Sequence, residues 1–398
     1  AMAAATEGGK PLIDSRVEVT RAIKSVKLCI EHINNIVGDV IPLHEENTEN
    51  RRIAFTQKEP IGVVVAVSAF NHPLNLIVHQ VGAAIAAGCP TIVKPAEDTP
   101  LSCIRFVQLL HQAGLPKKWC QVLLPENTSL ATDMVTDSRV GLFSFIGSAR
   151  VGWMLRSKLA PGTRCVLEHG GIAPVIVEES ANLDKLIPAI IKGAFYHAGQ
   201  VCVSVQRVFV PNKNIEAVAN NLAEAAQNLV IGDPRDETTE VGPLIRMSEV
   251  ERVKQWVDEA INEGAKLLCG GEPIHKQSFQ PTVLLNPAEF SKVSMQEIFA
   301  PVVCLYGYED LNDAIKQANS SDFSFQAAVF TQNIDKAIYI SNQLNASAVM
   351  VNDHTAFRHD GMPFAGLGKS GLGVGGIKYT IEEMQVDKMT MIKTSLTA

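Results

Sequence analysis

The sequence predicts an α/β protein built on doubly wound parallel sheets. Three observations carry the prediction. Gly62–Ser68 reads GVVVAVS, a continuous β-branched run of the kind shown by a strand buried on both faces. Strand-like and helix-like segments then alternate at βαβ spacing. Past Gly171 a second series repeats the alternation. With 398 residues the chain can hold two cores of this kind.

Taken in order, residues 11–37 read as one amphipathic helix, with Val17, Val19, Ala22, Ile23, Val26, Leu28, Ile30 and Ile33 at near-helical spacing. Residues 38–58 are polar and irregular, with a short extended stretch at Ile53-Ala54-Phe55. After the GVVVAVS strand come a helix at 74–87, a strand at Thr91–Val93, a helix at 101–113, and strands at Gln121–Leu124 and Leu142–Ile146. In the second series Val175–Val177, Arg207–Val210, Val302–Tyr306, Ala327–Phe330 and Ala348–Val351 read as strands. Helices fall at 183–197, 214–229 and 247–263, and Val386–Ile392 as an extended segment pairing outside its own domain. The boundary between the series falls at Gly170-Gly171.

Composition excludes several functions. The chain is 46% hydrophobic and 19% charged, an ordinary globular balance. No run of about 18 apolar residues occurs, so no membrane span is expected. The net charge is −7 and the basic residues are scattered, so nucleic acid is not an expected partner. The eight cysteines form no CxxC pair, which argues against zinc and disulfide frameworks and for free thiols in a reducing, cytoplasmic setting. No metal site is expected. The opening Ala1-Met2-Ala3 reads as an expression scar.

Four groups point to chemistry. Phe145-Ile146-Gly147-Ser148-Ala149-Arg150-Val151-Gly152 follows a strand and opens a helix. Glycines there admit a pyrophosphate, and the helix N-terminus offers N–H donors. A plain turn has the same pattern, because the spacing lacks the extra glycine of the usual dinucleotide fingerprint. Lys94-Pro95-Ala96-Glu97 follows the strand at 91–93, where a parallel sheet opens its crevice. A carboxylate there accepts two ribose hydroxyls and repels a 2′-phosphate, so Glu97 favours NAD over NADP. Cys202 follows Gly199-Gln200, where a turn exposes it, and a neighbouring positive charge would raise its thiolate fraction. Glu168 ends an apolar run before Gly170-Gly171, and burial there suits a general base. Asn71, after the GVVVAVS strand, offers a neutral donor for an oxyanion. His197 lies five residues before Cys202 and reads as a packing or hydrogen-bonding residue, as helical spacing would not bring the two together.

Together these segments resemble the NAD(P)-dependent aldehyde dehydrogenase superfamily. The resemblance runs from Gly8 to Ile392 and takes in Glu297-Ile298-Phe299-Ala300-Pro301 and Pro363-Phe364-Ala365-Gly366 as well. It implies a Rossmann-like cofactor domain from 1–37 and 59–170 and a catalytic domain from 171–373. It also implies an oligomerisation arm from 38–58 and 384–398, and a homodimer or homotetramer. Cys202 then matches the nucleophile, Glu168 the general base, and Asn71 with the Cys202 N–H the oxyanion hole. Lys94 and Glu97 match the adenosine-ribose contacts. Gly147, Ser148, Val151 and Gly152 match the pyrophosphate and adenine loop. Glu297 matches the acid on the nicotinamide ribose, and Phe299 the aromatic beside the nicotinamide.

The departures are informative. His169 stands where the family usually has Leu, Ile172 where it usually has Lys, and Ala300 and Ala365 where it usually has Gly. Family members also carry several dozen residues before the segment matching Gly8–Pro11, which leads to the expectation of an N-terminal truncation. Phe70 and His79 are expected to line the substrate channel. Arg358 and His359, in the stretch that lines the family's acyl pocket, suggest an aldehyde bearing an anionic or hydroxyl group: a semialdehyde, lactaldehyde or phosphorylated aldehyde. A solvent-facing charged loop is the competing reading. A cysteine hydrolase using Cys202 and Glu168 would leave Lys94–Glu97 and Glu297–Phe299 unexplained, and an inactive fragment would fold without binding NAD. A thiol-acylating dehydrogenase would have no use for the water-activating Glu168.

Overall fold

The computed structural model describes residues 1–43, 51–275 and 277–394. Two parallel sheets dominate it. The first has six strands in the order Gly371–Leu372, Arg164–Glu168, Val140–Ile146, Val63–Val67, Thr91–Lys94 and Cys120–Val122. All neighbours run parallel except Gly371–Leu372, which runs against Arg164–Glu168. The GVVVAVS run is central, and Val64, Val65 and Ala66 are fully buried. From Val63–Val67 the chain first winds through Thr91–Lys94 to Cys120–Val122, then reverses to Val140–Ile146. The reversal makes a topological switch point, and the loops at the strands' carboxyl ends, Ser68–Asn71 and Gly147-Ser148, flank its crevice.

The second sheet has seven strands: Lys266–Cys269, Thr282–Leu285, Val302–Tyr308, Val205–Pro211, Ala173–Val177, Gln326–Phe330 and Ala348–Val351. Only the edge strand Lys266–Cys269 is antiparallel. Its apolar residues join helices Leu183–Phe195, Asn212–Gln227 and Met247–Asn262 in one core. Every residue of Val205–Pro211 is buried.

The first long helix, Leu12–Ile33, inverts the face its apolar periodicity suggests. Val17, Ile23, Ile30 and Ile33 are exposed, whereas Asp14, Ser15, Glu18 and Ser25 are buried. The polar face turns inward because it finds partners there. Glu18 pairs with the fully buried Lys10 at 2.7 Å and accepts the N–H groups of Leu74 and Asn75. Asp14 takes Lys192 at 3.1 Å. The helix expected at 74–87 runs from Asn75 to Ala86, with a π-helical turn at Val78–Gly82 that carries His79.

A third, antiparallel sheet joins Val40–Ile41, Arg51–Pro60 and Gln385–Thr394. The region expected to be irregular thus holds a strand of 10 residues, paired from Arg51↔Thr394 to Pro60↔Gln385. Parts of the expected arm, 44–50 and 395–398, lie outside the described residues. Gly371–Leu372 is a strand of the first sheet although the expected catalytic span ran to 373. Ile377, Ile381 and Met384 continue the return, packing with Cys29, Val64 and Ala84 in that sheet's core.

Arg207 shows how the second sheet is fastened to the crossover. Buried, it donates to the carbonyls of Ile172 at 3.2 Å, Gln317 at 3.1 Å and Ala318 at 2.7 Å. Two of these acceptors end helix Leu311–Ala318, where the helix dipole favours a cation. Arg207→Met leaves two buried carbonyls and one half-buried carbonyl without these bonds and costs about 3 kcal/mol. An earlier urea midpoint at unchanged m checks this; a loss well under 1 kcal/mol would contradict it.

Candidate active site

The loop that carries Cys202 is made by backbone that ordinary residues rarely adopt. His197, Ala198 and Gly199 have φ values of 48°, 54° and 70°. A Cβ on Gly199 would lie 2.2 Å from the Ala300 carbonyl, so glycine is required there. Gln200 then pins the loop, donating to the Pro243 carbonyl at 3.3 Å and accepting from the Ile245 N–H at 2.9 Å. Cys202 follows, with its Sγ 3.9 Å from Glu168 Oε1. His197 is buried with both ring nitrogens unpartnered and packs against His72, in keeping with a packing role.

Glu168 ends its strand beside Gly371, across the seam between the two sheets from the thiol. Burial pushes its carboxyl up to about 7, with Arg358 pulling the other way. Glu297 reaches the same seam from the second unit and accepts the Gly171 N–H at 3.2 Å. A Cβ on Gly170 would lie 1.7 Å from its carboxylate. Burial pushes Glu297 up to about 8. Cys202 is held well above the usual thiol range by burial, then by the charges of Glu168 and Glu297. The thiol is therefore protonated until a nearby base or cation favours the thiolate.

One cavity of about 690 Å³ connects these groups. Lys94, Glu97, Gly147, Ser148 and Val151 line one part of it, and Glu297, Phe299, Cys202, Glu168 and Asn71 another. Gly152 is absent from the wall and packs over the ring of His169. Lys94 Nζ lies 3.3 Å from Glu97 Oε1, and Glu97 is exposed. Phe299 adopts φ 52° and meets Phe70 edge-on at 5.9 Å. Asn71 is buried and donates to the Gln200 carbonyl at 2.9 Å, which leaves a second N–H. A dinucleotide fits this cleft. Helix Ala149–Arg156 opens onto it without a side-chain cap; Val151 and Gly152 donate to the Ser148 carbonyl, so the N–H groups of Ala149 and Arg150 are the ones available to a phosphate.

Phe70, His79 and Arg358 line the cavity; His359 does not. His359 is exposed, and its Nδ1 accepts the Gly361 N–H at 3.2 Å. The two cations expected from the 358–359 pair thus reduce to one. A second is Arg21, which the sequence reading missed because it sits on the polar face of a helix read by its apolar residues. Arg21 grips Asp360 through Nε at 3.1 Å and Nη2 at 2.7 Å, and His79 joins the same carboxylate at 2.8 Å. Burial would raise the Asp360 carboxyl, but hydrogen bonds from His79 and Arg21 outweigh it and hold the group well below the usual range. Arg358 stacks over Phe364 at 4.3 Å and donates from Nη1 to the carbonyls of His359 and Met362. Its Nη2 is buried with no partner. Burial lowers the guanidinium to about 10. Tyr196, Arg246 and Arg252 also line the cavity without a sequence motif to announce them. Among the described residues no group of three or more His, Cys, Asp or Glu is placed to hold a metal, and no helix is long and apolar enough to cross a membrane.

Comparison with known proteins agrees with this geometry. The model of the aldehyde dehydrogenase family matches residues 1–390. The 3-sulfolactaldehyde dehydrogenase of Priestia megaterium is 40% identical over 389 residues, covering 98% of this chain and 81% of that protein. The lactaldehyde dehydrogenase of Methanocaldococcus jannaschii is 36% identical over 392 residues, covering 98% and 82%. Among solved structures, aldehyde dehydrogenase 21 of Physcomitrella patens, in complex with the reaction product succinate, superposes with a TM-score of 0.94 at 35% identity, covering 98% of this chain and 81% of that one. Glyceraldehyde-3-phosphate dehydrogenase of M. jannaschii, complexed with NADP, gives 0.92 at 36%, covering 97% and 83%. With its thiol, carboxylates and dinucleotide cleft in one cavity, the chain belongs to the aldehyde dehydrogenase family and is an aldehyde-oxidising, nicotinamide-dependent enzyme.

Proposed function

We propose that this enzyme oxidises a small aldehyde bearing an anionic group, with NAD as its preferred cofactor. The observation that carries the substrate reading is the orphaned Nη2 of Arg358, buried in the wall that also holds Cys202 and Glu168. A buried guanidinium N–H without a partner is costly, and a carboxylate, sulfonate or phosphate answers it with a charge-assisted bond. The names of the relatives and neighbours, 3-sulfolactaldehyde, lactaldehyde, aspartate-semialdehyde and glyceraldehyde-3-phosphate dehydrogenase, support a polar or anionic aldehyde. The exposed carboxylate of Glu97 supports NAD, since it would repel a 2′-phosphate.

The chemistry falls to three side chains. Cys202 Sγ, once deprotonated, adds to the carbonyl carbon. The free N–H of Asn71 and the backbone N–H of Cys202 hold the resulting oxyanion. A nicotinamide held by Glu297 and Phe299 would supply the acceptor for the hydride that leaves this carbon, and a thioester would remain on Cys202. Glu168 then takes a proton from water, the hydroxide oxygen bonds to the acyl carbon, and the carbon–sulfur bond breaks to release the acid. Splitting the oxidation this way replaces one difficult step by two easier ones. The first sheet unit then carries the cofactor and the second the nucleophile. The eight free thiols support a cytoplasmic setting. Ile53, Met389, Met391 and Ile392, exposed on the antiparallel sheet, support burial against a second copy in a homodimer or homotetramer.

Three outcomes are expected. NADH forms from glyceraldehyde-3-phosphate, succinate semialdehyde, lactaldehyde or 3-sulfolactaldehyde faster than from alkanals of similar length, and Cys202→Ser abolishes it. Turnover that survives in that variant would rule out the thiol mechanism. Arg358→Met raises KM for the anionic aldehyde by about 100-fold, equivalent to about 2.7 kcal/mol, and leaves alkanals little changed. Equal losses on both substrate classes would remove the anion site. The third concerns pH. A carboxyl raised to about 7 is protonated below that value and cannot serve as base, so acyl-enzyme hydrolysis rises with pH through about 7. Glu168→Gln should slow that step at every pH and erase the rise. A limb that persists in the variant belongs to another group.

A further inference from the structure

Among the described residues, His169 is the buried titratable group next to Glu168 in the chain for which the chemistry above has no use. It is 1% exposed. Its ring is wedged edge-on between Phe145, at 5.6 Å, and Trp153, at 5.7 Å. It also fills the space in front of Gly152, where a Cβ would come within 2.0 Å of its Cε1. Its Nδ1 lies 2.9 Å from the Gly147 carbonyl. A carbonyl only accepts, so Nδ1 carries the proton and Nε2 is left as a buried lone pair without a partner. Burial lowers the ring's affinity for a second proton, which keeps it neutral.

The backbone around it completes a double tie. The Gly147 N–H donates to the Glu168 carbonyl at 3.0 Å, while the Gly147 carbonyl accepts from the His169 ring. Both polar groups of Gly147 are therefore held by residues 168–169. The His169 N–H in turn donates to the Ser370 carbonyl at 2.9 Å, and the Trp153 indole to the Lys369 carbonyl at 3.2 Å. The first turn of helix Ala149–Arg156 cannot shift without moving the strand that ends in the base. An apolar side chain of similar size would fill the same space and leave the carbonyl of Gly147 unbound.

We propose that His169 is a positioning residue: its Nδ1–H fixes the Gly147-Ser148 turn against the base strand, so that the uncapped N–H groups of helix Ala149–Arg156 are preset for the cofactor pyrophosphate. The inference rests on the dinucleotide reading of the cleft. It assigns His169 to cofactor affinity rather than to proton transfer, despite its place next to Glu168.

The test is a calorimetric titration of NAD⁺ and NADP⁺ into the wild type, His169→Leu and His169→Asn. It is run beside hydrolysis of p-nitrophenyl acetate without cofactor, which reads Cys202 and Glu168 alone. Losing one buried hydrogen bond corresponds to about a tenfold change in affinity. His169→Leu should weaken dinucleotide binding by about that factor, with ester hydrolysis falling less than about threefold. His169→Asn, whose side-chain amide can present a donor near the position of Nδ1, should regain most of the affinity. Binding by His169→Leu equal to wild type overturns the proposal. So does an Asn variant as weak as the Leu variant, or an equal fall in binding and ester hydrolysis, which would mark general loss of structure. A wild type that hydrolyses the ester and binds neither dinucleotide overturns the cofactor reading itself, and the proposal with it.

Discussion

The active site depends on one close approach, that of the Glu297 carboxylate to the backbone of Gly170-Gly171. This is where the chain passes from the first sheet to the second. Any side chain on Gly170 would occupy the carboxylate's position. The contact fixes the distance between the strand that ends in Glu168 and the loop that carries Cys202. It also draws a second acid into a space poor in water. The result is a chamber in which a thiol and two carboxyls all hold their protons more tightly than they would in solution, with burial the largest cause in each case. Desolvation thus raises the proton affinity of Cys202, Glu168 and Glu297 alike.

Around that chamber the protein spends buried charge in an unusual way. Helix Leu12–Ile33 turns its polar face inward, and Lys10 with Glu18 forms an ion pair at 1% side-chain exposure on either partner. Such a pair is weak evidence for stability, since desolvation offsets much of its attraction. Its value here is positional. Glu18 receives the N–H groups that open the helix at Asn75, and Lys10 Nζ lies 3.4 Å from the carbonyl of Asn71. Asn71 is therefore held from behind by a charge network, not only by its own loop. Asp360 plays a similar part for the substrate wall, joining Arg21, Asn75 and His79.

Much of this was legible in the sequence, and the failures share a cause. The GVVVAVS strand, the βαβ alternation and the turns at Gly147 and Gly199 are local signals, readable from a few adjacent residues. Cys202, Glu168, Asn71, Glu297 and Phe299 sit in such segments, and the fold brings them to one cavity. What was not legible depends on partners distant in the chain. Arg51–Pro60 looks irregular because its pairing partner is Gln385–Thr394. The inward face of Leu12–Ile33 was misjudged because periodicity weighs apolar residues, whereas Lys10, Lys192 and the N–H groups of Leu74 and Asn75 reward the polar ones. Arg21 was missed for the same reason. His359 was included because it adjoins Arg358, yet neighbours in an irregular loop need not share a direction.

Arg358 ties recognition to chemistry. Its charge favours the ionised forms of both Glu168 and Cys202, opposing the burial that keeps them protonated. An anion bound at its free Nη2 would cancel part of that influence. The carboxyl of Glu168 would then bind its proton more tightly and become the stronger base, while the thiolate of Cys202 would lose support. The two effects pull in opposite directions on the two halves of the reaction. A second cation would offset that loss, and a nicotinamide held by Glu297 and Phe299 would supply one. Reduction of that group would remove the positive charge when Cys202 had already become a thioester and needed no support, while Glu168 would keep its raised basicity for water. In the proposed mechanism the order of charge changes would thus follow the order of the steps, with attack under the cation and hydrolysis after its loss.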